Sequence, residues 1–170
     1  MRLYKGKIET IANEVVSFLK QEGDIEVSSE EEARLDIESV LKEYLRMDRE
    51  LVEEAKNRME IRGLGYSHLG QMRNQVAKER GMPANEDALP YMLDQILNIL
   101  FHSNNIEEIF SDDSALRIKI TPILRKHMEV DTDLDREVRS KIKHLEEGTA
   151  SFDVEYSRVL SQIKKRMGLS

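Results

Sequence analysis

The residues of this sequence whose types and spacing could do chemistry are acids and histidines in its last third. His127 and Asp131 are four positions apart, and His144 and Glu147 are three apart, so each pair would share one face of a helix. Imidazole nitrogens and carboxylate oxygens are common ligands of divalent metals. The candidate metal ligands are therefore His127, Asp131, Asp133, His144 and Glu147.

Simpler roles compete with metal binding for these side chains. The run from Asp131 to Asp135 begins like a calcium loop, but Arg136 stands where that loop requires glycine and Ile142 where it requires glutamate. Zinc takes three or four protein ligands, and no helix turn here offers more than two. The acids are expected to cap a helical segment that restarts after Val130, and the histidines to be solvated surface residues.

Other reactive patterns are missing from the sequence. It has no Ser-His-Asp order, phosphate-binding loop or dinucleotide fingerprint, because Gly63-Leu64-Gly65 lacks a third glycine and follows a predicted helix. It also has no cysteine, which excludes disulfides, thiolate zinc sites and cysteine nucleophiles. We therefore predict no catalytic residue and no cofactor.

Composition indicates a helix-rich globular protein with an acidic surface. Of the 170 residues, 39% are hydrophobic and 35% are charged, and only three are proline. The net charge of −7 makes nucleic acid an unexpected partner, because phosphate backbones attract concentrated positive charge. The densest basic cluster, Lys164-Lys165-Arg166, is expected to complement the negative end of the last helix, with a nucleic-acid contact as the alternative.

Membrane insertion is not expected. The longest apolar run, from Ile96 to Phe101, is far too short to span a bilayer, and the first nine residues lack the apolar region of a signal peptide. A cytoplasmic location is the prediction that follows.

The elements that would position these residues are helices, and they occur twice. Segments of the two halves match with their apolar positions in phase, which predicts a tandem duplication with units at residues 1–82 and 83–170. The matching segments are Val15–Leu19 with Ile96–Leu100 at a shift of 81 (96 minus 15), Ile37–Lys42 with Ile120–Arg125 at a shift of 83 (120 minus 37), and Gln75–Gly81 with Gln162–Gly168.

Each unit is predicted to be all-α, with three helices of which the central one is long. In the first unit a stripe from Ile8 to Leu19 precedes Gly23, and Ser29 with Glu32 forms a capping box for a helix that continues to Gly63. In the second unit Ser111-Asp112-Asp113 is expected to cap the long helix, and Pro122 to kink it or restart it. Core packing is predicted for the methionines on the apolar stripes, at positions 59, 72, 92, 128 and 167.

Two segments of the sequence carry a family resemblance. They are the opening Met1–Val16 and the closing Ile142–Tyr156, in which a Glu147-Gly148-Thr149 turn leads into Phe152-Asp153 and Tyr156. This turn, followed by aromatic-Asp-x-x-Tyr, resembles the bacterial domain-of-unknown-function family number five hundred and seven. The first unit departs from it, since Gly63–Tyr66 replaces the acidic turn. The resemblance implies a bacterial, all-helical protein of unknown activity and supplies no catalytic residues.

Two hypotheses for function follow. The first is a non-enzymatic interaction or scaffold protein whose helices present an apolar groove to a protein partner or to a second copy, because helices are well specified and reactive groups are not. The alternative is a metal-binding or enzymatic module that brings the acids and histidines together between the two units.

Overall fold

The computed structural model describes residues 2–170, and the side chains of Asp131 and Thr132 lie outside that description. The described part of the chain confirms the predicted all-α class, since its only sheet is a pair of short strands. The elements are α1 (Ile8–Gln21), β1 (Ile25–Val27), α2 (Glu30–Arg62), α3 (Leu69–Glu79), α4 (Ala88–His102), β2 (Ile106–Ile109), α5 (Asp113–Met128), α6 (Val130–Lys141) and α7 (Ala150–Arg166).

The helix ends lie where the sequence signals predicted them. The Ser29 side chain accepts a hydrogen bond from the Glu32 amide at 3.3 Å, and the Asp112 side chain caps α5 in the same way. Gly63 ends α2 with a φ of 65°, a left-handed conformation that glycine adopts without steric cost. The strands were not predicted. The connectors containing Ile25 and Ile109 pair as an antiparallel sheet.

The second long helix is divided at Glu129 into α5 and α6, next to the restart predicted after Val130. Pro122 lies inside α5 and does not restart the helix. A proline removes the bond to the carbonyl four residues earlier, which belongs here to Ile118. The Ile118 side chain is 75% exposed, so this carbonyl lies on the solvent side of the helix, where water replaces the missing donor.

The largest core draws on both sides of Pro83. Helix α1 packs against α2 and α5, and α4 also packs against α2 and α5, so the four helices close a ring around one apolar centre. The antiparallel pairing of β1 with β2 joins the two halves at one end. The largest fully buried side chains of this shared core are Ile11, Leu19, Ile37, Leu41, Met92, Ile96, Leu97, Leu116, Ile120, Leu124 and Met128.

Two helical hairpins extend from the shared core, and each has an apolar core of its own. Arm 1 (residues 48–82) consists of the second half of α2 with α3, and arm 2 (residues 130–170) consists of α6 with α7. Four of the five methionines predicted to pack are buried, whereas Met167 is 47% exposed. The buried core of arm 1 is Leu51, Ala55, Met59, Met72, Val76 and Ala77, and that of arm 2 includes Leu134, Val138, Ile142, Phe152, Val159 and Ile163.

The segment before α1 packs on arm 2. Tyr4 and Leu169 are buried together in the core of this arm, and the Gly6 amide donates to the Leu169 carbonyl at 3.1 Å. A Cβ atom on Gly6 would lie 1.8 Å from the Gly168 carbonyl oxygen, so only glycine fits at this position. The opening segment is thereby held against the far end of the chain.

Candidate functional site

A cleft lies between the two arms, with a volume of about 370 Å³. Its walls come from α2 and α3 on one side and from α6 and α7 on the other. Arg2 and Leu3 of the opening segment complete the lining. The cleft therefore gathers residues from the whole length of the chain.

The wall formed by arm 1 contains a buried ion pair. Arg73 donates from Nε and Nη2 to one carboxylate oxygen of Asp48, at 2.8 and 2.5 Å, and its Nη1 donates to the Pro83 carbonyl at 3.2 Å. The side chains of Arg73 and Asp48 are 5% and 11% exposed. Burial, together with the Asp48 carboxylate, raises the pKa of the neighbouring Tyr44 to about 12, so this phenol stays protonated at neutral pH.

The wall formed by arm 2 contains a network around Arg139. Its guanidinium donates to Glu147 at 3.1 Å and to Asp135 at 3.1 Å, and it lies 5.7 Å from the ring centroid of Phe152. The Tyr156 hydroxyl donates to Asp135 at 2.5 Å. Burial and this bond to the carboxylate raise the pKa of Tyr156, which therefore serves as a hydrogen-bond donor and not as a nucleophile.

The two arms touch where Tyr66, at the far end of arm 1, meets the first turns of α7. The Tyr66 amide donates to Asp153 Oδ2 at 3.3 Å, and the rings of Tyr66 and Tyr156 have centroids 6.0 Å apart. Gly65 adjoins the same carboxylate, since a Cβ atom there would lie 3.1 Å from Asp153 Oδ2. This contact closes the cleft on the side opposite the shared core.

The charged groups of the cleft are largely paired with one another. Asp48 is neutralised by Arg73, and Asp135 and Glu147 share Arg139. Within the described lining, no hydroxyl or amine is hydrogen-bonded to a histidine that could act as a base. What the cleft offers is aromatic and aliphatic surface together with a comparable amount of polar and charged surface.

The four predicted metal ligands whose side chains the structure describes lie in separate places. His127 is buried and bonds through Nε2 to Glu14 at 2.9 Å, which joins α5 to α1. Asp133 lies on the exposed face of α6, 3.7 Å from Arg136, and His144 is exposed in the loop before α7. Of these residues, Glu147 alone lines the cleft among the side chains that the structure describes.

The side chain of Asp131 lies outside the described residues, so the metal hypothesis is examined without it. Among the remaining side chains, no group of three or more His, Asp or Glu is arranged to hold a metal ion. His127 is occupied by Glu14, and Glu147 by Arg139. Metal binding through the predicted set stays a prediction.

The basic cluster forms the last turn of α7, as predicted. Lys164 Nζ lies 5.1 Å from the centroid of the Tyr4 ring, and Arg166 pairs with Glu137 at 2.6 Å. Lys165 is exposed. Two of the three cations therefore interact with neighbouring residues of arm 2 and of the opening segment.

The sequence interpretation overlooked most of the cleft residues. Asp48, Tyr66, Arg73 and Arg139 carry no local motif, and they meet only because two hairpins converge. Asp153 and Tyr156 did carry a signal, since an acid and an aromatic residue three positions apart share a helix face.

Comparison with known proteins places the chain in a family. A family model described as "Protein of unknown function (DUF507)" matches residues 1–169. No curated protein matches the chain. None of the helices formed by the described residues is long and apolar enough to cross a membrane. The match over residues 1–169 shows that the chain belongs to the DUF507 family, as the resemblance predicted.

Proposed function

We propose that this protein is a non-enzymatic interaction module that holds a segment of a partner protein in the cleft between arm 1 and arm 2. The observation that carries the proposal is the position of the two segments that resemble the family. Arg2 and Leu3 from the opening segment line the same cleft as Glu147, Asp153 and Tyr156 from the closing one. Segments at opposite ends of the sequence thus meet at one cavity.

The lining supports a protein ligand. Rings of Tyr44, Tyr66, Phe152 and Tyr156 surround the cavity, and aromatic side chains supply much of the binding energy at protein interfaces. A cavity of about 370 Å³ is large enough for a few side chains and not for a whole helix, so the partner is anchored by a short stretch. Paired carboxylates and guanidiniums fix the orientation of that stretch.

Gly70 gives a direct test, because it lines the cleft on α3 and a Cβ atom there would meet nothing within 4 Å. We expect Gly70→Trp to fold normally and to fill the cavity. The matched control is Gln71→Trp on the next, exposed position of the same helix, outside the lining.

The measurement is photo-crosslinking in cell lysate with a reactive residue at Leu69, followed by identification of the crosslinked protein. A specific product should form with the parent chain and with Gln71→Trp, and should be lost with Gly70→Trp. Equal products from both tryptophan variants would contradict cleft binding.

We also propose that residues 1–82 and 83–170 are two copies of one unit. The order helix, strand, long helical segment, helix occurs in both halves. One polar contact recurs between corresponding positions, with the carboxylate on the other partner: Lys119 donates to Asp24 at 2.7 Å, and Asn105 donates to Asp36 at 3.0 Å. The shifts that relate these residues are 81 (105 minus 24) and 83 (119 minus 36), the two found in the sequence.

The end of each unit supports the same relation. Gly81 and Gly168 both take a positive φ, of 67° and 68°. The amides that follow donate back in the same way, Met82 to Ala77 at 2.8 Å and Leu169 to Lys164 at 2.9 Å. The shift is here 87 (168 minus 81).

Comparing first halves with second halves across family members tests the duplication. The same three shifts should recur, and matches at scattered shifts would argue that the two units became similar by chance.

A further inference from the structure

We propose that the partner segment places a cationic side chain, lysine or arginine, against Asp153 in the cleft. This inference rests on the proposed function and specifies its ligand. The site consists of the Asp153 carboxylate with the rings of Tyr66 and Tyr156 beside it.

Asp153 differs from the other carboxylates of the cleft in having no cation of its own. Asp48 pairs with Arg73, and Asp135 and Glu147 pair with Arg139. Among the described residues, no Lys, Arg or His nitrogen pairs with Asp153, and one of its oxygens accepts the Tyr66 amide. A carboxylate in this setting gains a charge-assisted bond when a cation enters.

The charge balance of the arm 2 wall favours the same ligand. Asp135, Glu147 and Asp153 carry three negative charges, and Arg139 with Arg2 of the opening segment carries two positive charges, which leaves −1 on this side of the cleft. The arm 1 wall is balanced, since Asp48 faces Arg73. Partial enclosure strengthens this field, because water screens charges less inside a cleft than on an open surface.

The cations already present do not compensate Asp153. The Arg73 guanidinium bonds to Asp48 and Asn74 of its own arm and to the Pro83 carbonyl. Arg2 lines the cleft, and its guanidinium lies 5.9 Å from the centroid of the Tyr4 ring and forms no ion pair with Asp153 among the described side chains.

The rings of the site already hold one guanidinium. Arg139 lies 5.7 Å from the ring centroid of Phe152 and 5.9 Å from that of Tyr156. Aromatic faces attract cations through their quadrupole, with arginine the commonest partner. The Tyr66 ring, on the other arm, lies 6.0 Å from the Tyr156 ring and lines the same cleft as Asp153.

The test uses small probes of matched size: the N-acetyl methylamides of arginine, lysine, norleucine and glutamate. Binding is followed by NMR from the amides of residues 65–70 and 149–156. We expect the arginine and lysine probes to shift these signals with an affinity about tenfold higher than norleucine, and the glutamate probe to leave them unchanged.

Two variants assign the effect to Asp153. Asp153→Asn keeps an acceptor for the Tyr66 amide and removes the charge, so it should abolish the preference for cationic probes. Glu155→Gln removes the same charge from the same helix outside the cleft, where Glu155 pairs with Arg158, and should leave the preference intact.

The outcomes separate this inference from the proposed function. Equal binding of norleucine and arginine, or a preference that survives in Asp153→Asn, overturns the cationic ligand while the cleft remains a binding site. The cationic ligand is also overturned if no probe shifts the amide signals of the cleft. If Gly70→Trp leaves partner capture unchanged, the proposed function fails as well.

Discussion

Arm 1 and arm 2 are built on the same apolar plan and differ in their polar residues. Leu51, Ala55 and Met59 of arm 1 are buried, and so are Leu134, Val138 and Ile142, which follow at a shift of 83 (134 minus 51). Positions that face the cleft have changed type. At a shift of 87, Arg73 corresponds to Leu160 and Tyr66 to Asp153.

The difference shows which positions the two arms share and which they do not. Apolar positions are constrained because a cavity or an oversized side chain costs stability in both arms alike. Several positions on the cleft differ in type between the arms, and they carry the charges and rings of the candidate site. The likeness between the arms accounts for the fold, and the contrast between them accounts for the site.

The largest expected change in stability comes from replacing Arg73 of arm 1 by leucine, the residue found at the corresponding position 160 of arm 2. Arg73→Leu leaves the Asp48 carboxylate buried without its cation, and we expect the free energy of unfolding to fall by about 3–5 kcal/mol. Urea denaturation measures it. Arg139→Leu, in the more exposed network of arm 2, should cost only about 1 kcal/mol.

The double variant Asp48→Leu/Arg73→Leu serves as the control for the buried pair. It should recover most of the loss, because apolar side chains can replace a buried ion pair. If Arg73→Leu alone were as stable as the parent, the pair would contribute nothing to arm 1.

The second effect compares the segments that precede α1 and α4. Gly6→Ala forces a methyl group against the Gly168 carbonyl, and we expect a loss of about 2–3 kcal/mol, measured by thermal and urea unfolding. Asp87, at the corresponding position before α4, is exposed, so Asp87→Ala should change stability by less than about 0.5 kcal/mol. Equal effects at both positions would contradict the close approach at Gly6.

The third effect compares the two polar contacts that join the halves. Asp24 is buried; burial alone raises its pKa, but hydrogen bonds from Lys119 and Ser111 outweigh burial and hold the pKa below its usual value. Asp24→Asn should cost about 2 kcal/mol at neutral pH. Asp36→Asn should cost less, because Asp36 accepts from Ser103 and Asn105 and has no ion pair.

The pH dependence of this contact has a definite sign. The folded pKa of Asp24 lies below the unfolded value of about 3.9, so its contribution is complete above that pH and is lost as pH falls through the folded pKa. In urea titrations the parent and Asp24→Asn should therefore converge in acid. If the difference in the free energy of unfolding between the two proteins stayed constant with pH, this linkage would be excluded.

The smallest effect concerns Gly70, which corresponds to Ser157 of arm 2 at the shift of 87. Since a Cβ atom has open space there, Gly70→Ala should raise the free energy of unfolding by about 0.5–1 kcal/mol. Gly23→Ala, at a φ of 77°, should lower it by about 1 kcal/mol. Calorimetry of both variants checks the sign.

Much of the fold was predictable because its signals are local. The apolar period gave the helices, and caps such as Ser29 and Asp112 gave their ends. The division at Glu129 lies beside the restart predicted after Val130, whereas the restart offered as an alternative at Pro122 is not found, because a proline on an exposed helix face does not end this helix. The pairing of β1 with β2 was missed, since strands this short have no detectable pattern.

The candidate site was less predictable because it arises from tertiary structure. Tyr66 and Asp153 meet only when both hairpins have formed, and no spacing in the sequence reveals that contact. The sequence directed attention to acids near His127 and His144, which the structure places apart. The aromatic-Asp-x-x-Tyr segment was recognised as a resemblance without its place in the cleft.

The uninterrupted α2 has a mechanical consequence. Its 33 residues span about 50 Å and run without a break from the shared core to the far end of arm 1. Because the helix is continuous, a force applied at the far end of arm 1 must also tilt the part of α2 that packs between α1 and α4. Arm 2 meets α5 through the interruption at Glu129, so no continuous helix transmits such a tilt from arm 2 to the ring of four helices.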